Sequence, residues 1–105
     1  MIKAVFQKQN GRICHCSIKG HAGYAENGQD VVCAAVSSAV QFTANLITEC
    51  FHEQADISAE NNKIIICLKQ PQAGNGAVVL DGLLIHLQCI SEEYPDNIKI
   101  QISEV

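Results

Sequence analysis

The chain has little positive charge, no long apolar run and no Cys-x-x-Cys pair, and each shortage removes a class of function. Seven Lys and Arg residues stand against eleven Asp and Glu, for a formal net charge of -4. The cations are dispersed along the sequence, which argues against a nucleic-acid footprint built from clustered charge. An acidic surface still suits a basic protein as partner or substrate. The longest apolar candidate, residues 30–50, is interrupted by Ser37, Ser38, Gln41, Thr43, Asn45 and Glu49. It falls short of the roughly 20 apolar residues that cross a bilayer, so no membrane association is expected. Residues 1–8, MIKAVFQK, hold no long apolar stretch ahead of a small-residue cleavage site. No signal peptide is expected, and the cytoplasm is the expected compartment. No Cys-x-x-Cys pair occurs, which leaves a thiol-redox role without its usual motif.

What is present suits one folded domain. The 105 residues are 48% apolar and 17% charged, enough for a single core over 1–105 and too few for a second. Six cysteines in a reducing compartment do not read as a disulfide framework. Cys14 and Cys16 are spaced to share a strand face with Ile18. Cys67 lies inside Ile64–Leu68, and Cys89 lies between Leu87 and Ile90. These read as small buried hydrophobes.

Periodicity gives the order ββαββαβ. Ile2, Ala4 and Phe6 alternate, as do Cys14, Cys16 and Ile18, with Asn10-Gly11 between them as a tight positive-φ turn. A loop rich in glycine, 20–29, precedes a helix over 30–50 carrying Val32, Val36, Ala39, Val40, Leu46, Ile47 and Cys50 at helical spacing. A second hairpin pairs 55–60 with 63–68 around Asn61-Asn62. A helix over 77–93 presents Val79, Leu80, Leu83, Leu84, Leu87 and Ile90, and Ile98, Ile100 and Ile102 alternate along a last strand. The expected fold is α+β: a two-layer sandwich with both helices packed on one face of a mixed five-stranded sheet.

Chemistry concentrates between the second strand and the first helix. With Asp30 as N-cap, Cys33 falls in the helix's opening turn, where amides and macrodipole favour an anion. A thiol so placed can be activated, since the thiolate is the nucleophile. Peptide cleavage also needs a group that takes the thiol proton and returns one to the leaving amine. His21, at the end of the second strand, can do both, because imidazole titrates near neutrality. The loop Ala22, Gly23, Tyr24, Ala25, Glu26, Asn27, Gly28 and Gln29 must fold back to join them. Ser37 lies one turn beyond Cys33 on the same helix face. Each residue also has a plainer reading: Cys33 as a small buried residue, His21 as a solvated turn residue, Asp30 as a cap only, Ser37 as a small packing residue.

The combination G-H-A, a glycine-containing loop and G-x-D-V-V-C-A-A-V-S resembles the ribosomal-processing cysteine protease (Prp) family. Leu87-Gln88-Cys89-Ile90-Ser91-Glu92-Glu93-Tyr94 is similar to that family's C-terminal segment. The resemblance implies a cysteine endopeptidase that removes an N-terminal extension from a large-subunit ribosomal protein. It implies His21 and Cys33 as catalytic residues, with Gly20, Asp30 and Ser37 in support and residues 22–29 as a segment that orders around substrate. It further implies a homodimer and no cofactor. The expected mechanism runs through a thioacyl-enzyme, with the amides of the first helical turn as candidate oxyanion donors and Asp30 or Glu26 as candidates for a third catalytic group.

Two rival readings are weaker. A zinc site could draw on Cys14, His15, Cys16, His21 and Cys33, but strand alternation sets Cys14 and Cys16 opposite His15, and the usual ligand spacing is missing. His52 and His86 read as surface or helix-face residues. A ribosome-assembly binding module with an inert thiol is the non-enzymatic alternative.

Overall fold

The computed structural model describes residues 1–20 and 29–105. Its elements are β1 (Ile2–Gln9), β2 (Arg12–Lys19), α1 (Gln29–Asn45) with a π-wound extension (Leu46–Cys50), β3 (Ala55–Glu60), β4 (Lys63–Leu68), α2 (Gly76–Glu93) and β5 (Ile98–Glu104). Both hairpins close as the sequence requires. Asn10 and Gly11 have φ of 53° and 80°, and Asn61 and Asn62 have 55° and 59°. Positive φ at both central positions gives the turn whose twist matches the flanking strands.

The sheet order is β3-β4-β2-β1-β5. Neighbours pair antiparallel except β1 and β5, which run parallel. A parallel pair needs a crossover, and α2 lies in the connection between β4 and β5. Ile2, Ala4 and Phe6 of β1, Ile18 of β2, Ile66 of β4 and Ile98 of β5 are buried against Val32, Val36 and Val40 of α1 and Leu80, Leu83, Leu84 and Leu87 of α2. One sheet face and two helix stripes thus make the core, and the expected two-layer α+β sandwich is what forms. Among the described residues no helix packs on the other face of the sheet.

Four local expectations are corrected. In β2 the register with β1 slips between Gln7 and Lys8, so Lys8 opposes Ile13, Gln7 opposes His15, and Cys14 is the extra residue. This bulge places Ile13, not Cys14, in the core beside Cys16; Cys14 is half-buried, its thiol directed to the Gln7 carbonyl at 3.4 Å. The cysteines are also less uniformly buried than their apolar neighbours suggest. Only Cys16 is fully buried, whereas Cys50 and Cys89 are exposed. Third, Val31–Cys50 is long and apolar enough, by length and composition, to cross a bilayer; the interruptions noted in sequence do not prevent that. Here it lays Val32, Val36, Val40 and Ile47 onto the core. Fourth, helical backbone is already present at Gln29. Asp30 therefore has helical backbone and is not the residue that flanks the helix as an N-cap.

The far end of α1 supports α2. The Glu53 carboxylate accepts from the Asn75 N–H at 3.0 Å and the Gly76 N–H at 3.3 Å. It satisfies amides that a helix start leaves unpaired, from a residue 22 positions upstream of Asn75.

Candidate active site

Cys33 is the fifth helical residue described in α1. Side chains on a helix tilt toward its N-terminus, so the sulfur leans back over the opening turn. Helix geometry gives the Cys33 N–H the Gln29 carbonyl as acceptor. The side chain is half-buried and packs against the core on one side.

On its other side Cys33 lines a groove of ≈ 340 Å³ at one end of the sheet. Ile2, Ile18 and Ile64 come to it from β1, β2 and β4, and Val36, Ser37 and Val40 from α1. Gly20 and the β3–β4 turn complete it with Glu60, Asn62 and Lys63. The groove thus has an apolar lining, a thiol and a polar rim carrying one charge of each sign. Such a site can hold an apolar side chain while a peptide backbone meets the rim. Ser37 lines the same groove as Cys33, one helical turn on, as its spacing requires.

Gly20 is held at the groove's edge. Its N–H donates to the Asn62 carbonyl at 2.8 Å. Its φ is +82°, and a Cβ there would stand 2.8 Å from the Met1 carbonyl oxygen. Both facts require glycine, and together they fix where the chain leaves β2 immediately before His21. His21 and residues 22–28 lie outside the described residues, as do the side chains of Gln29 and Asp30.

The remaining cysteines and His15 stand in different surroundings. Burial pushes the Cys16 thiol up to about 12 and raises Cys14 above its ordinary range, with the nearby Cys67 adding to that rise. Burial, then Lys63, lowers His15 below the ordinary imidazole range, and its Nδ1 is buried without a hydrogen-bond partner. Among the described residues no three His, Cys, Asp or Glu side chains are placed to hold a metal ion.

Sequence reading places Cys33, Ser37 and Gly20 near one another, and the structure brings all three to one groove. It does not find Ile2, Ile18, Asn62, Lys63 and Ile64. These come from three strands and a turn separated by up to 62 positions, and no local pattern marks them as neighbours.

Comparison with known proteins gives a consistent result. The family model for cysteine protease Prp matches residues 1–99. The ribosomal processing cysteine protease Prp of Staphylococcus aureus (strain Mu50 / ATCC 700699) is 30% identical over 92 residues, which cover 86% of this chain and 87% of that one. The protein of the same description from Bacillus subtilis (strain 168) is 28% identical over 107 residues, covering 95% and 96%. The crystal structure of an essential ribosomal processing protease Prp from S. aureus, in complex with a covalently linked product peptide, superposes with a TM-score of 0.88. It is 28% identical and covers 97% of this chain and 99% of that one. The match to the family model runs through Gly20, Cys33 and the groove they line, and this chain belongs to the cysteine protease Prp family.

Proposed function

We propose that this enzyme removes the N-terminal extension of a large-subunit ribosomal protein during ribosome assembly, with Cys33 as nucleophile and His21 as its base. The observation that carries the proposal is the half-buried thiol in an apolar groove, at whose edge Gly20 delivers the chain into His21. The named activity of the S. aureus and B. subtilis relatives supports the substrate class. In the reaction, His21 takes the thiol proton and the Cys33 sulfur attacks the scissile carbonyl. The tetrahedral adduct collapses to a thioacyl-enzyme as the proton passes to the departing amine. Water, deprotonated by His21, then releases the acyl half and restores the thiol. Asp30 and Ser37 act in support, and residues 22–29 order around the bound peptide.

We place the enzyme in the cytoplasm, where its substrate is made, and read it as a homodimer. Support for the dimer lies on the outer side of α1: residues 31–48 carry no charge, and Phe42 is 68% exposed. Phe42 borders a groove of ≈ 700 Å³ between α1 and α2. Sedimentation at the mass of one 11.4 kDa chain would exclude that assembly.

The decisive experiment follows cleavage of a peptide spanning the extension junction. Cys33→Ala and His21→Ala should each lower kcat/KM by at least about 1,000-fold while leaving the circular dichroism unchanged. Full activity in either folded variant removes that residue from the mechanism. Loss of activity in neither, or no cleavage by the parent enzyme, favours a binding module with an inert thiol.

A further inference from the structure

The cations that are dispersed along the sequence come together across the sheet. Lys3 of β1 opposes Lys19 of β2 and Lys99 of β5, and Lys19 in turn opposes Lys63 of β4. Four of the seven Lys and Arg residues therefore form one cross-strand row, Lys99–Lys3–Lys19–Lys63. Neighbouring strands lie about 4.8 Å apart, so the row spans about 14 Å. Its members alternate with the buried Ile2, Ile18 and Ile98, which sets all four on the face that carries no helix. Glu60 of β3 ends the row opposite Lys63. Among the described residues none of the four is in an ion pair; the pair that does form is Lys69 with Asp56, at 3.5 Å.

Like charges set directly opposite on a sheet are destabilising, and this sheet holds three such pairs in succession. A polyanion laid along the row would relieve them. Two further features say which. The next row on the same face is Gln101, Val5, Ser17, Ile65 and Ser58. It offers hydroxyl and amide groups suited to sugar and phosphate oxygens and lacks the aromatic and Arg anchors that dominate protein interfaces. Lys19, Lys63 and Ser58 also border a depression of ≈ 370 Å³ on this face, large enough to seat a phosphate group.

We propose that this row binds the phosphodiester backbone of single-stranded RNA, through charge and without base recognition. Binding leaves the groove free, because the row lies on the open face while Cys33 lies on the helix face. The two sites share Lys63 and Glu60, beside the β3–β4 turn. An enzyme acting on a ribosomal protein would thus be held at the RNA of the assembling particle. Only this last step rests on the proposed function.

The test is fluorescence anisotropy with a labelled 12-nucleotide oligouridylate between 25 and 200 mM KCl, with cleavage of the junction peptide followed in parallel. Four neutralised phosphates on a single strand predict a slope of log K against log salt of about -2.8, or about 20-fold weaker binding at 150 than at 50 mM. The double variant Lys3→Gln/Lys99→Gln should flatten the slope by about 1.4 and leave peptide cleavage unchanged, while Lys8→Gln, off the row, should leave binding unchanged. Absence of binding at 25 mM, an unaltered slope in the double variant, or displacement of the RNA by oligoglutamate at equal charge overturns the proposal. Peptide cleavage without RNA binding leaves the protease reading standing, and RNA binding without cleavage does the reverse.

Discussion

Two cysteine neighbourhoods of this molecule, one on the open face of the sheet and one at its end, differ in what can reach the thiol. On the open face of the sheet, His15 pairs directly with Cys67, and Cys14 stands beside it at the bulge. Burial there works against charge: it raises Cys14 and lowers His15, and no hydrogen-bond partner meets the buried Nδ1. At the end of the sheet, Cys33 borders an apolar groove with a polar rim, and a pinned glycine directs the chain into His21. The residue types are the same. What differs is access: the Cys33 thiol borders a groove that can take a peptide, whereas burial on the open face raises Cys14 and lowers His15.

The strongest way to break this contrast is to disturb the groove edge alone. Gly20→Ala forces a side chain into positive φ and against the Met1 carbonyl. The expected result is a loss of about 1–2 kcal/mol in stability and of up to about 100-fold in kcat/KM from a displaced His21. Cys14→Ser/Cys67→Ser should leave cleavage unchanged. Equal losses in both variants would erase the distinction between the two regions.

A smaller effect sharpens it. Under limiting alkylator near neutral pH, mapped by mass spectrometry, Cys33 should label at least about tenfold faster than Cys50 and Cys89, although those two are exposed. Labelling in order of exposure would mean that Cys33 has no activation of its own.

The smallest effect concerns His15. Its pKa is lower in the folded chain than the unfolded value of 6.5, so below pH 6.5 the unfolded chain binds more protons. Stability should be full above that pH, fall as pH drops from 6.5 to the folded pKa, and level off beneath it. His15→Gln should flatten this part of a denaturation-midpoint profile, and an unchanged profile would show that His15 does not contribute.

Much of this was legible because it is local. Asn10-Gly11 and Asn61-Asn62 adopt positive φ by their own backbone preferences. The strands and helices follow from spacing, and Cys33 and Ser37 share a face because a helix repeats every 3.6 residues. The β2 bulge was not legible, since it depends on how β1 is registered against β2. Nor was the Glu53 cap on α2, which joins residues 22 apart.

The sequence by itself determined the element order, both hairpin turns, the core-facing stripes and the motif that surrounds Cys33. Only the tertiary structure decided that Ile2, Ile18 and Ile64 share a groove with that thiol, and that four scattered lysines stand in one row. Turn and helix preferences act within a few residues, whereas grooves and charge rows arise from strand register, which long-range burial sets.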